Sequence, residues 1–540
     1  MERHRRWGPW VVAAVTVTAA SPPARAEGTT PRVDVATAAE LTAAVAAAQP
    51  GDVIVLAPGT YALGKLSCAA SGTPTAPIVV RAATPRGARL EFSSVEGFAV
   101  TGAHWRFEGL DVRGTCAQDD DCEHAFHVSG AADGFVLRDS RIVDFNAQLK
   151  VNAAQVGGVW RTPNAGLVEH NELADTRARN TANPTTKLNI DTGDDWVVRG
   201  NFLHDFHKGG GNQVSYGVFL KSGGARGVVE RNLVVCSLDV TSAGATIGLS
   251  LGGGGTAPQF CAPAFDAATP CAVEHRDGVL RNNVVANCSD VGIYLNRAAN
   301  TRVLYNTLIA TSGVDFRFDT TTGVAIGNFL GGSLRERDGG TFTGTANLAG
   351  VALSTFTALY AAPLVGDLSL VGDPAAVLGA GPAETDVVDD YCGRLRSTTV
   401  HDLGALEHGL GDCGTLPLPG SGGTGGGSGG SAGTSGSGGS AGNGGGTTGA
   451  GGTAGAGPAG GGGSASGGGG SGNGGVPSSG ATGGAAGADA GAGATPGGGD
   501  EGGCACRAAP GAAGAIGAWR ALAGGAALVV ARRRRRRAAP

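Results

Sequence analysis

Lysine is scarce in this chain, occurring only at 65, 150, 187, 208 and 221. A lysine takes a proton from carbon only where burial or a nearby positive charge favours its neutral form. Two of the five, Lys150 and Lys221, fall on one outward column of alternating strands. In a strand, successive side chains point to opposite faces. Taking the apolar positions as inward turns seven pairs outward: His127 and Ser129, Lys150 and Asn152, Asn189 and Asp191, Phe219 and Lys221, Ser250 and Gly252, Tyr294 and Asn296, Arg317 and Asp319. Strands stacked about 4.8 Å apart would join these into one polar column. Such a column of Asn, Asp, Lys, Tyr and Arg suits an extended carbohydrate. Lys221 is the candidate base, with Lys150 beside it. His127, Asn152, Asn189, Asp191, Tyr294, Asn296, Arg317 and Asp319 are the candidate binding residues.

The elements that would stack these strands are visible as a repeat. A short β-branched stretch closing on Asn, or once Ser, recurs at Ser140, Asn171, Asn201, Asn232, Asn283, Asn306 and Asn328. Repeats of 20 to 50 residues with short strands mean stacked coils, because one coil cannot bury its own apolar face. Asn at a fixed place in each coil predicts a ladder of side-chain amides. The fold class is therefore all-β, a right-handed single-stranded parallel β-helix. The 51-residue step from Asn232 to Asn283 reads as two coils. Thr37 and Glu40 form a capping box that opens a short helix, with Leu41, Ala44, Val45 and Ala48 on one face, to plug the first coil. Asp52 to Ala57 reads as the first strand, and 153–164, 174–186 and 252–277 as loops leaving the coils.

The ends carry no coil pattern. Residues 1–26 combine Arg3, Arg5 and Arg6, an apolar run and Ala24-Arg25-Ala26, as in a cleaved export signal. The coil domain is read as 27–415. Residues 416–503 are almost wholly Gly, Ser, Ala and Thr, and such a chain buries too little apolar surface to offset its backbone entropy. That stretch is expected to be a disordered linker. Residues 504–540 hold Cys504 and Cys506, an apolar segment and Arg532 to Arg537, which would stay on the cytoplasmic side of a membrane. Membrane contact is expected through this segment alone.

The formal charge of −5 conceals an acidic body. Of 40 basic and 45 acidic residues, the export signal takes four Arg and one Glu, and the segment after 503 takes eight Arg. That leaves 28 against 44, a charge of −16. Nucleic acid and anionic lipid are poor partners for such a surface. An anionic polysaccharide needs a local basic patch or a cation. Asp119, Asp120, Asp121 and Glu123 offer oxygen ligands for calcium. In an oxidising compartment the near cysteines pair as Cys116–Cys122, Cys261–Cys271 and Cys392–Cys413, while Cys236 and Cys288 can meet across coils and Cys68 is left over.

The stretches Ala48 to Tyr61 and Gly72 to Ala82 resemble the opening of exported β-helix proteins related to chondroitinase B and the alginate lyases. Lys221-Ser222 resembles that family's general base, which takes the proton alpha to a uronate carboxylate while bound calcium neutralises the carboxylate. The resemblance implies two calcium-binding glutamates where this chain has Val214 and Tyr216. It also implies an arginine on the next coil, where Gly252 stands. Asn189 to Asp195 is superficially similar to the paired aspartates of polygalacturonases, without their Gly-His-Gly or Arg-x-Lys. The C-terminal segment resembles MYXO-CTERM sorting signals. Together these imply a surface-held protein that is routed by export and sorting machinery and acts on or binds extracellular polysaccharide. It would be a degenerate lyase or, alternatively, a non-catalytic glycan-binding or adhesion protein.

Overall fold

Thr37 opens the first helix, Ala38–Ala46: its hydroxyl accepts from the Glu40 N–H, and the Glu40 carboxylate accepts from the Thr37 N–H. Leu41 and Val45 are buried against the first coil. The expected first strand is in fact the second. Arg32–Val35 precedes the helix and pairs in parallel with Val53–Leu56, so the helix closes a coil that has already begun.

The computed structural model describes residues 31–253 and 260–410. The expected signal at 1–26, linker at 416–503 and segment at 504–540 lie outside them, as do Cys413, Cys504 and Cys506. Among the described residues no helix is long and apolar enough to cross a membrane.

The chain is a right-handed parallel β-helix. Each coil passes through three short strands, and stacking produces three parallel sheets. The first has 12 strands, from Arg32–Val35 to Thr341–Thr345. The second has 10, from Gly59–Leu63 to Phe329–Leu330, and the third has 10, from Leu66–Cys68 to Ser333–Arg337. The third carries the candidate column and is termed here the site sheet. Its inward positions stack like on like: Leu149, Leu188, Val218, Leu249, Ile293 and Val314 are register neighbours in turn, all fully buried. Each such side chain contributes about 2 kcal/mol by leaving water.

The asparagine ladder runs between the first and second sheets. Nδ2 of Asn171, Asn201, Asn232, Asn283, Asn306 and Asn328 donates to Oδ1 of the next rung at 2.8–3.1 Å, ending on Asn347. Each amide also donates to a backbone carbonyl of the coil behind, as Asn232 does to Val198 at 2.9 Å. The step from Asn232 to Asn283 is one coil, not two. Val228–Glu230 pairs directly with Val279–Arg281, and the additional residues form an insertion that leaves the site sheet after Leu251. The loop expected at 153–164 contains a hairpin, Ala154–Val156 with Val159–Arg161.

Three disulfides, Cys116–Cys122, Cys236–Cys288 and Cys261–Cys271, are formed as expected, and Cys68 is buried and free. Beyond the coils the chain turns back along the outside of the second sheet. Phe356, Leu359 and Tyr360 pack on Phe202, Leu233, Val284 and Phe329. Arg396 donates to Asn282 Oδ1 at 3.0 Å, and Arg231 to Asp389 at 2.9 Å.

Candidate functional site

Asp191 lies at the centre of the site sheet, where the pairing of Thr185–Asp191 with Val214–Lys221 sets it beside Lys221. Its Oδ1 is 3.2 Å from Lys221 Nζ and accepts from Ser222 Oγ at 2.9 Å. Its Oδ2 meets Lys150 Nζ, which also donates to Asn189 Oδ1 at 3.2 Å. Lys150, Asn189, Asp191 and Lys221 are thus one cluster, and all four are buried. Burial alone would raise the Asp191 carboxyl, but Lys150 and Lys221 outweigh it and hold the group at about 2. Lys221 Nζ also sits 4.7 Å from the centre of the Phe219 ring, a cation–π contact.

Two insertions roof this cluster. Ser222 N donates to Glu274 Oε2 at 2.9 Å, Ala262 N to Ser222 O at 3.0 Å, and Thr192 Oγ1 to Phe260 O at 3.2 Å. From the other side the hairpin brings Trp160 into a stack on Phe265, 5.0 Å between ring centres. Gly252 is the residue beside Lys221 on the next coil, since Leu220 pairs with Leu251. A side chain there is sterically excluded: a Cβ would lie 1.8 Å from the Asn296 carbonyl oxygen, at a φ of +71°. No arginine can occupy that place.

The column continues on both sides, with one correction. Ser250, Tyr294 and Asp315 are register neighbours, so Arg317 stands beside Asn296 and not beside Tyr294. Asp319 lies beyond the strand Gly313–Arg317, in an exposed turn. Tyr294 Oη accepts from Arg317 at 3.0 Å and Asn296 Nδ2 at 3.3 Å, and burial raises its phenol. Asp315, unmarked in the sequence reading, is fully buried between Arg335 at 2.6 Å and Arg337 at 2.5 Å. This end of the column is rich in arginine. At the other end His127, beside Lys150 in register, bonds Asn152 Oδ1 at 2.6 Å and Glu96 Oε1 at 2.5 Å. That contact with His127, with Lys65 at 2.8 Å on the other oxygen, holds the Glu96 carboxyl at about 2 against its burial.

The two positions at which the resemblance implies calcium-binding glutamates hold none. Val214 and Tyr216 pack in an apolar cluster with Ile247, Val291 and Tyr294, and offer no carboxylate. The nearby Asp191 already has an ammonium group against each oxygen. In the acidic loop, Asp119 is buried and spent on arginines, with Arg177 at 2.6 Å and Arg179 at 3.1 Å. Asp120 accepts from Thr181 and Glu123 from Asn183, while Asp121 is exposed. These four carboxylates do not converge on one point: the only group of three or more metal-type ligands among the described residues lies elsewhere.

No protein-family model matches the sequence. An 86-residue stretch is 41% identical to pectate lyase L of Dickeya chrysanthemi, covering 13% of this chain and 20% of that protein. The chain therefore spans about a fifth of the length of that curated relative. Among solved structures it is similar to the pectate lyase Pel9A, with 16% identity, a TM-score of 0.44, and coverage of 70% of this chain and 97% of that one. It is also similar to a rhamnogalacturonan lyase, at 15% identity and a TM-score of 0.36 over 66% of this chain and 89% of that one. An alginate lyase from Paenibacillus sp. str. FPU-7 follows, at 17% and 0.33 over 59% of this chain and all of that one. The likeness is one of fold: a parallel β-helix of the kind that pectate and alginate lyases adopt.

Proposed function

We propose that this chain is an exported, surface-held β-helix protein that acts on an extracellular uronate-containing polysaccharide along the site sheet. The observation that carries the reading is the buried cluster of Lys150, Asp191 and Lys221, two ammonium groups sharing one carboxylate. Lys150 and Lys221 bring two ammonium groups together in a body that is otherwise strongly acidic. A uronate carboxylate is a natural partner for such a pair. Tyr216, Phe219 and Tyr294 supply ring faces beside it, and Arg317, Arg335 and Arg337 extend positive charge along the same sheet.

The chemistry this arrangement suits is β-elimination. The uronate carboxylate binds Lys150, which does the neutralising work without a calcium ion. Lys221 as the free amine removes the proton alpha to the carboxylate. The electron pair left on carbon forms the new double bond, the bond to the glycosidic oxygen breaks, and that oxygen takes a proton from water. Asp191 lies against Lys221, so substrate must first loosen that contact. Ser222 holds Asp191 during that exchange, and Asn189 holds Lys150.

The test is the appearance of unsaturated, ultraviolet-absorbing product from pectate, alginate or dermatan, in the presence of a chelator. Loss of product with Lys221→Ala and Lys150→Met supports the reading. Absence of product from every uronate polymer sinks the catalytic part. The second reading, a non-catalytic glycan binder, is favoured by the Asp191 contact that ties up Lys221. It expects glycan retention without product, and only a modest loss on Lys221→Ala.

Surface display belongs to the same proposal and rests on the sequence of the two ends. If 504–540 is a sorting signal, the intact mass of surface-extracted protein lacks Arg532 to Arg537. A mass that retains them refutes sorting. Cys504→Ala with Cys506→Ala should leave the protein in the inner-membrane fraction.

A further inference from the structure

We propose that Glu96, His124 and His127 form a binding site for a divalent transition metal, with zinc the best match, on the outer face of the site sheet. The three side chains come from two adjacent coils, held together by the parallel pairing of Glu96–Val100 with His124–Ser129, in which His124 is the direct partner of Glu96. Their ligand atoms all lie within 4.8 Å of one another.

Three features fit a metal better than a histidine–carboxylate hydrogen bond alone. His124 Nδ1 is sealed from solvent and has no hydrogen-bond partner. A buried ring nitrogen left unbonded is costly, and a Glu96–His127 bond does nothing to satisfy it. A metal ion would. His127 is also already oriented as a metal ligand should be: Nδ1 faces Glu96 at 2.5 Å, while Nε2 is fixed by Asn152 Oδ1 at 2.6 Å. Metal-bound histidines characteristically use the second nitrogen in this way, which sets the tautomer and the ring plane. Finally, Glu96 keeps its second oxygen on Lys65 at 2.8 Å, which steers the first one toward the rings.

The fit requires local side-chain movement, since ligand atoms within 4.8 Å of one another must all reach bonding distance of one ion. Zinc bonds nitrogen and carboxylate oxygen at about 2.0–2.2 Å, so neighbouring ligand atoms sit about 3–3.5 Å apart. Glu96 Oε1 and His127 Nδ1 need to separate by about 1 Å or less as the ion replaces the proton between them. Two imidazoles and one carboxylate select zinc and its neighbours over calcium or magnesium, which prefer all-oxygen sites. Three protein ligands leave a fourth position for water or for an oxygen of a bound sugar. The site lies beside the column, since His127 is the register neighbour of Lys150. The site does not depend on the elimination chemistry proposed above.

The experiment is equilibrium dialysis of the chelator-treated full chain against zinc chloride, with cobalt(II) absorption as a spectroscopic reading of the ligand set. The expected result is one high-affinity equivalent, with cobalt bands typical of low-coordinate nitrogen and oxygen ligation and no displacement by millimolar calcium. His124→Ala and His127→Ala should each weaken binding by 100-fold or more. Asn152→Ala, which touches only the second nitrogen, should weaken it by about 10- to 100-fold. Circular dichroism and thermal unfolding of the apo-proteins show whether each variant is folded. The proposal is overturned if the folded wild type binds less than a small fraction of an equivalent. It is equally overturned if the high-affinity equivalent survives in His124→Ala and His127→Ala, which would place the zinc on other histidines.

Discussion

Replacing Asp191 by Asn should destabilise the coil stack by about 3–5 kcal/mol, the usual cost of removing one partner from a buried ion pair. The perturbation is nearly isosteric, so packing is not its cause. It removes the carboxylate that Lys150 and Lys221 share and sets an amide against two buried ammonium groups. Part of the magnitude follows from the carboxyl itself. A group lowered from 3.8 to about 2 on folding contributes about 2 kcal/mol, at about 1.4 kcal/mol per pH unit. Because the folded value is depressed, this share is fully present above about pH 4 and is lost as pH falls toward 2. The remainder is the cost of stranding the two lysines. Equilibrium urea denaturation of wild type and Asp191→Asn, repeated from pH 7 down to pH 2, reads both parts. The gap between the two proteins should be several kcal/mol at neutral pH and narrow below pH 4. A gap under about 1 kcal/mol at pH 7, or one that does not narrow in acid, would refute the reasoning.

Asn232→Ala should cost about 2–4 kcal/mol, since it strands the Asn201 N–H and amide and the Val198 carbonyl inside the stack, whereas Asn347→Ala, on a half-buried last rung, should cost less than half as much by the same denaturation assay. His204 is held above its ordinary value: burial opposes its charge, but Asp205 at 2.7 Å and Glu172 at 3.7 Å prevail. Its stabilising share is therefore complete below about pH 6 and lost as pH rises through the raised folded value, so the stability difference between wild type and His204→Asn should shrink from pH 6 to pH 9.

The parity of the strands was legible in the sequence, and their register was less so. Leu149, Leu188, Val218 and Leu249 alternate with polar neighbours, so inward and outward residues follow from a period of two. Parity alone cannot fix how far one coil slides along the next. Val314, Phe316 and Phe318 give the right face for Arg317, yet its strand is offset by two residues from the expected alignment, which placed it opposite Tyr294. The ladder was legible because each rung must be the same residue type for amide to meet amide. The step at 232 to 283 was misjudged because an insertion has no period, and its length looks like a further coil. The same insertion buries Lys221, and nothing in its composition shows which way it folds. Glu96 and His124 escaped notice because they stand at the starts of their strands, where the chain turns the corner and alternation gives no guide.

Stability and chemistry separate on this sheet, and the separation makes the functional test interpretable. Leu220 and Lys221 are adjacent, but one faces the core and the other faces Asp191. Leu220→Ala opens a cavity in a stacked column and should cost about 2–5 kcal/mol. Lys221→Ala behaves differently because it leaves the carboxylate in place. With Lys221 gone, Lys150 and Asp191 remain as a balanced pair, still joined to Asn189 and Ser222. Removing Asp191 instead takes away the carboxylate that both lysines contact. Lys221→Ala should therefore unfold at a denaturant midpoint much closer to wild type than Asp191→Asn. If it does, loss of elimination product or of glycan retention in Lys221→Ala reports on the site and not on the fold. If Lys221→Ala proves as unstable as Asp191→Asn, the two lysines do not share the carboxylate in the way the geometry implies. In that case Lys221 is a structural counter-ion, and the assignment of a base has to move along the column to Lys150.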